Sequence, residues 1–429
     1  MAAPPRSAAL GRRPRPRLRG AARRLAAWVW QFHATLAAKI QFGGWVLATS
    51  VSAAALDIPV YMMVCAWTAP AVTAWFVGFA ARPRVRPRVD LPPRAIAGQP
   101  LRCAITLENP ARHAAHDVAA GWFGLPPGMA QSPRDAVIGT LPAGARETLV
   151  VSLTAARRGV YALPPVRAYS LFPFGFFRIP AGTGRPGRLL VRPAFQPLAG
   201  VELPASHRYQ PGGITMVSDV GESPEYIGNR EYRPGDATRR LDFRSWARLA
   251  RPVVREYQEE YYCRIALVLD THVPRVRTVP PEGLPALEAA VTVTAAAADA
   301  LSRGEFLIDL FAAGPELYAF RAGRHLAHLD DILDILAGVE HCTEDPFGRV
   351  APALATQLRQ IAAVVFVLLD WDPARERLVR AAVEAGCRTK VIVVRGDAPQ
   401  LPSRESRAWL GEFIHVTPAE ARAGGIDRL

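Results

Sequence analysis

Residues 225–260, EYIGNREYRPGDATRRLDFRSWARLARPVVREYQEE, decide how this chain is read, and they pass within a few positions into the apolar run 265–269 and its terminal Asp270. Arg233, Arg239, Arg240, Arg244 and Arg248 alternate here with Glu231, Asp236 and Asp242 and with the rings of Tyr226, Tyr232, Phe243 and Trp246. Guanidinium groups pair with carboxylates through two parallel hydrogen bonds and stack on aromatic rings. Such density therefore predicts either a salt-bridge network tying a loop to a sheet or a surface for a macromolecular partner. Pro234-Gly235 marks a turn in its middle. The candidate binding residues are Arg230, Tyr232, Arg233, Gly235, Asp236, Arg240, Asp242, Arg248 and Glu256.

Downstream, strand and helix patterns alternate. Runs 265–269 and 361–369 are continuous apolar strands, 306–311, 317–320, 390–394 and 413–416 are further strands, and 284–301, 325–336 and 374–385 read as helices. This spacing predicts an α/β domain over 264–429, with a mainly parallel sheet and helices on both faces. Upstream, 201–263 joins a loop-rich link containing Pro211-Gly212-Gly213 to the charged motif. Before that, Leu101, Cys103, Ile105 and Leu107 alternate with Arg102, Ala104, Thr106 and Glu108, and Leu149, Val151 and Leu153 with Val150, Ser152 and Thr154, between turns at Gly98, Pro110, Gly128, Gly144 and Gly159. The pattern predicts an Ig-like antiparallel β-sandwich over 82–200, with nothing in it suggesting catalysis.

The first quarter is different. Residues 1–24 are Pro, Arg and Ala with no acid, which predicts a disordered basic tail, and Trp28, Trp30 and Phe32 suit an interfacial helix ending near residue 39. Two uncharged apolar runs, 40–56 and 58–81, flank Asp57, and Arg82, Arg84, Arg86 and Arg88 close the second. Length and flanking charge predict a two-helix transmembrane hairpin over 40–81, in the inner (cytoplasmic) membrane with both ends and the bulk of the chain in the cytoplasm. The competing interpretation is a cleaved secretory signal at Ala53-Ala54-Ala55, after which the second run would still anchor the remainder. The formal charge of +14 fits this layout: about 14 basic residues precede or include Arg94 against Asp57 and Asp90, leaving about +2 for the rest. Five scattered cysteines without CxxC spacing argue against a disulfide framework or a zinc ribbon.

The pattern EYxGxREYRPGDxxRRxDFRxxARxxRxxVREYxEE resembles the core motif of the MoxR-associated bacterial proteins catalogued as domain of unknown function fifty-eight, with Asp242-Phe243 standing where that family has Asp-Trp. Arg157-Arg158-Gly159-Val160-Tyr161 is similar to its Arg-Gly-aromatic run. Pro173-Phe174-Gly175 matches its Asp-Pro-Phe-Gly with Phe172 in the Asp position. The resemblance implies a von Willebrand factor A-like C-terminal domain, a MoxR-type AAA+ ATPase as partner, and a role in assembling or remodelling client proteins. That fold places a divalent ion beside an Asp-x-Ser-x-Ser loop. The chain reads Asp270-Thr271-His272-Val273-Pro274 there, so Asp270, Thr271 and Asp370 are the remaining candidate ligands for magnesium in a degenerate site.

Other constellations are weaker. His325 and His328 near Asp330 and Asp331 could hold a metal, and His341-Cys342 near Glu344 and Asp345 offers a thiol and a base, although adjacent residues seldom face one another. No GxxxxGK[ST] or GxGxxG loop follows a strand, so nucleotide hydrolysis falls to the partner. The expected function is a membrane-tethered protein-binding adaptor, not an enzyme, that works with the AAA+ ATPase. One alternative is a membrane-bound hydrolase using a carboxylate or thiol. Another is anionic-lipid binding, with nucleic acid the less favoured target, through the Arg-rich N-terminus.

Overall fold

The computed structural model describes residues 33–54, 58–134, 136–202, 226–236, 238–257, 264–303, 306–313, 317–321, 328–397 and 402–424. The expected basic tail and interfacial aromatics, Asp57, Pro211-Gly212-Gly213, Cys263 and His325 lie outside these residues. The chain divides into two compact units, Met1–Arg192 and Pro193–Leu429.

The first unit begins with helices α1 (Leu36–Ala54) and α2 (Ile58–Ala80). They pack side by side. Gln41 Nε2 donates to the Trp67 carbonyl at 2.6 Å and Trp45 Nε1 to Thr68 Oγ1 at 3.1 Å, while Gly44 leaves the gap that the Trp67 ring fills. Tyr61, Met62, Val72, Trp75 and Phe76 of α2 stand exposed, the reverse of a helix folded into a water-soluble core. Among the described residues one stretch, Tyr61–Ala80 in α2, is long and apolar enough to cross a membrane. This corrects the expected two-span hairpin. α1 mixes Lys39, Gln41, Thr49, Ser50 and Ser52 with its apolar residues, which dilutes its hydropathy below that of a span.

A β-rich body follows. One sheet runs in the order β1 (Arg86–Asp90), β3 (Pro100–Glu108), β7 (Arg146–Ala155), β5 (Met129–Ser132). A second runs β10 (Ile179–Thr183), β9 (Arg167–Ser170), β4 (Ala115–Gly121), β6 (Ala136–Leu141), and both are antiparallel throughout. Alternation does what it predicts: Cys103, Ile105 and Leu107 of β3 and Val151 and Leu153 of β7 are buried in one cluster with Val118 and Ala120 of β4 and Ala168 of β9. A third short sheet, β2 (Arg94–Ile96), β11 (Gly187–Arg192), β8 (Gly159–Leu163), contains a parallel pairing that sequence alternation did not reveal. At Gly182 the chain kinks against β1, and an added Cβ would stand 1.8 Å from the Val85 carbonyl oxygen. Neither backbone atom can rotate away. Gly182→Ala is therefore expected to cost about 1–3 kcal/mol, read as a lower melting temperature.

The second unit opens with the hairpin β12 (Tyr226–Glu231) and β13 (Val253–Tyr257), between which lie a 3₁₀ turn (Thr238–Arg240) and helix α3 (Phe243–Leu249). A six-stranded sheet follows: β16 (Leu317–Arg321), β15 (Leu307–Ala313), β14 (Arg264–Leu269), β17 (Ala363–Leu368), β18 (Arg388–Val394), β19 (Glu412–Val416). Every pair is parallel except β15–β16. Helices α4 (Pro285–Arg303) and α5 (His328–Gly338) cover the face carrying Ile265, Leu267 and Val365. Helices α6 (Phe347–Ala355) and α7 (Pro373–Glu384) cover the face carrying Ala266, Phe366 and Leu368. Both faces are dry, which is why these strands read as unbroken apolar runs. Helices α8 (Arg404–Trp409) and α9 (Pro418–Ala423) complete the unit. Counted from β14, the order is 3-2-1-4-5-6, and it reverses between β14 and β17, so the crevice of this doubly wound sheet opens where those two strands end.

Candidate functional site

Asp270 follows β14 into that crevice and is 1% exposed. Its Oδ1 accepts from the His272 amide at 2.8 Å, and its Oδ2 accepts from the Leu369 amide at 2.9 Å and from Arg375 Nε at 2.7 Å. Arg375 comes from the first turn of α7 and is itself 3% exposed. Its Nη1 donates to Asp372, and its guanidinium lies 5.1 Å over the Phe347 ring. Asp372 caps α7, its Oδ1 accepting from the amides of Ala374 and Arg375. Burial works against the charge on Arg375, but the carboxylates of Asp270, Asp372 and Asp370 together outweigh it and hold the guanidinium above its ordinary value.

This geometry does not fit a divalent ion. A carboxylate offers about four acceptor positions, and three of those on Asp270 already meet protein donors. Asp370 turns to the Trp371 amide and to Arg395. Thr271 is fully buried, and its carbonyl accepts from the Cys342 amide. The cation of this crevice is Arg375. Among the described residues no cluster of three or more His, Cys, Asp or Glu side chains could hold a metal. His341-Cys342 makes no catalytic pair by adjacency: the Cys342 backbone bridges residues 271–273, and its thiol, 8% exposed, meets Arg349 Nη2 at 3.5 Å.

The charged motif builds a second locale. Arg233-Pro234-Gly235-Asp236 is a turn closed by the Asp236 amide on the Arg233 carbonyl at 3.1 Å, with Gly235 at φ +106 where a type II turn needs a residue free of Cβ. Asp236 then takes both forks of Arg230, at 2.7 and 2.8 Å, and the Arg233 amide at 2.8 Å. Asp242, 8% exposed, caps α3 and accepts from Ser245 Oγ at 2.7 Å and Asn229 Nδ2 at 2.9 Å, with Arg255 at 3.5 Å. Of the expected binding residues, Arg230, Gly235, Asp236 and Asp242 thus hold the hairpin together, and Tyr232 adds a backbone bond to Pro252. Arg233 and Arg248 face solvent, Arg240 is half-buried, and the Glu256 side chain lies outside the described set. Sequence reasoning missed Asn229, Ser245 and Arg255. Ser245, at the third helical position after an Asp, was the one readable signal.

With its framework turned inward, α3 turns its apolar face outward. Phe243 is 67% exposed, Trp246 37% and Leu249 46%, and the two rings stack at 6.0 Å. Arg244 and Arg248 share this helix, and Arg251 and Arg255 follow, all exposed. The framework should be acid-labile. The Ser245 and Asn229 bonds hold the Asp242 carboxyl well below the usual range, and the Arg230 fork with the Arg233 amide lowers Asp236 to about 2. A carboxyl depressed on folding contributes stability that is fully present above its unfolded value near 4 and is lost as pH falls through the folded value. Amide exchange over β12 and β13 is expected to be flat from pH 7 to 5 and to accelerate, beyond its intrinsic pH dependence, between about pH 4 and 2. Asp236→Asn should flatten that transition.

The fold and the two locales define a protein with a β-rich unit and a doubly wound unit whose crevice is sealed by an internal ion pair. Residues 228–404 match the model of a family described as Protein of unknown function DUF58, supporting membership of that family; the match covers the hairpin, the crevice and most of the six-stranded sheet. No curated protein matches. Among solved structures the chain is similar to Salmonella alpha-2-macroglobulin reacted with methylamine, at 19% identity and TM-score 0.20, covering 27% of this chain and 7% of that one. It is also similar to the CARDB domain of a Pyrococcus furiosus protein, at 10% identity and TM-score 0.18, covering 26% of this chain and 94% of that domain. The chain thus spans a small fraction of the macroglobulin's length, and scores this low do not define its fold.

Proposed function

We propose that this is a membrane-tethered adaptor whose C-terminal domain is von Willebrand factor A-like and whose hairpin helix binds a MoxR-type AAA+ ATPase, so that client proteins are assembled or remodelled beside the bilayer. The observation that carries this reading is the outward apolar face of α3 ringed by arginines. Aromatic and Arg side chains dominate the energetics of protein interfaces, and this charge selects a partner groove that is apolar at its floor and acidic at its rim. The 3-2-1-4-5-6 order with an antiparallel edge strand supports the domain assignment. The sealed crevice supports binding over catalysis, because its buried polar groups are spent on one another.

Tethering rests on α2, with α1 packed along it and the arginines at 82–88 keeping the folded units on the cytoplasmic side. The test is co-purification from detergent extract of the tagged full chain with the purified ATPase, with and without nucleotide. Retention that rises with one nucleotide state is the expected result. An ATPase that ignores the chain in every state removes the adaptor reading.

A further inference from the structure

The β-rich unit is more basic than the whole chain suggests. Between residues 82 and 192 there are 16 arginines against five carboxylates (Asp90, Glu108, Asp117, Asp135 and Glu147), a surplus the C-terminal acids hide in the total. The N-terminal quarter therefore does not hold all of the positive charge. Within this unit a cavity of about 160 Å³ is lined by His33, Phe123, Arg167, Tyr169, Arg178 and Thr183, among others, and, among the described residues, by no carboxylate. Arg178 is 7% exposed, its Nη1 donates to the Ala34 carbonyl at 3.3 Å, and its guanidinium lies 5.7 Å over the Tyr169 ring. Arg167 is exposed and, among the described residues, engages no side-chain partner.

The position of the cavity says what would reach it. The segment between β9 and β10 holds the roots of both helices. The Arg178 amide donates to the His33 carbonyl at 2.8 Å, His33 Nδ1 meets the Arg178 carbonyl at 2.9 Å, and the Thr35 amide donates to Phe176 at 3.0 Å just before α1. At the far end of α2, Trp75 meets Phe177 edge to face at 5.6 Å, and Arg82 Nε donates to the Pro180 carbonyl at 2.7 Å. A cavity at the point where α2 leaves the folded body lies at headgroup depth when that helix enters a bilayer. That placement rests on the tethering reading above.

We propose that this cavity is a phosphate site that takes the headgroup of an anionic membrane lipid. Guanidinium forks match phosphate oxygens, the surrounding arginines concentrate anions, and the Phe123 and Tyr169 rings suit the glycerol and first acyl carbons. The experiment is calorimetric titration of the full chain, in neutral detergent, with dihexanoyl phosphatidic acid, dihexanoyl phosphatidylcholine and inorganic phosphate, for the native protein and for Arg167→Glu. Phosphatidic acid is expected to bind most tightly and to lose at least tenfold in affinity in Arg167→Glu, with the melting temperature of the free protein unchanged.

Binding unaltered by Arg167→Glu, or no binding, overturns the site. Inorganic phosphate that matches phosphatidic acid, with the same dependence on Arg167, overturns the lipid as its source. Because the ligands are soluble, these results stand apart from tethering itself. Tethering is read by whether the chain stays with cell membranes after an alkaline carbonate wash.

Discussion

Arg375→Ala is expected to cost the C-terminal unit about 3–5 kcal/mol, because it strands the Asp270 carboxylate without its counter-charge in a crevice where that residue is 1% exposed. For a unit of this size the loss corresponds to a melting temperature lower by roughly 6–20 °C. Amide exchange should accelerate first in β14 and β17, whose ends the pair joins through the Leu369 amide. Removing both charges should be milder than removing one. The double variant Asp270→Asn with Arg375→Gln is expected to recover at least half the loss, since the desolvation penalty leaves with the ions. A single-variant loss within about 1 kcal/mol would mean that water replaces the guanidinium and that the crevice is not sealed. Magnesium provides an independent check. Added to the native chain, it should leave the melting temperature unchanged, and a rise would contradict Arg375 as the resident cation.

If the proposed AAA+ ATPase docks on α3, Trp246→Ala is expected to weaken that binding by about thirtyfold, near the 2 kcal/mol that marks a central aromatic anchor. Phe243→Ala should follow closely because the two rings stack as one platform. Trp246 is exposed and caps nothing, so the variant should melt as the native chain does. That separates it from Asp242→Ala, which would unseat the whole of α3. Reversing the neighbouring charge in Arg248→Glu should act mainly on the association rate and flatten its salt dependence. Surface-plasmon kinetics on the detergent-solubilised chain read both. Equal affinity in Trp246→Ala and the native protein would move the partner surface elsewhere.

Much of this architecture was legible. The apolar runs 265–269 and 361–369 became β14 and β17, and the Leu101–Leu107 alternation became β3, because a strand buried on two faces and one buried on a single face leave different signatures. The short helices α6, α8 and α9 escaped notice, each fewer than ten residues and too brief to complete a periodic pattern. At the crevice, the sequence pointed to Asp270 and Asp370 as ends of central strands. It could not reveal that Arg375, 105 positions from Asp270, would occupy the cation's place. Periodicity carries only local information, and a pair across that separation is set by the sheet order. The charged motif was recognisable as a unit, yet its inward and outward residues were not separable. Asp236 and Asp242 look like surface charges until the turn and the helix cap are formed.

The rooting of α1 and α2 beside the connection between β9 and β10 would make the proposed anchor a lever and not a leash. If α2 spans the bilayer as proposed, a change of bilayer thickness would tilt it, and Phe177 and Pro180 would carry that torque into the connection between β9 and β10 around Arg178. The shape of the basic cavity would then report the thickness of the lipid around it.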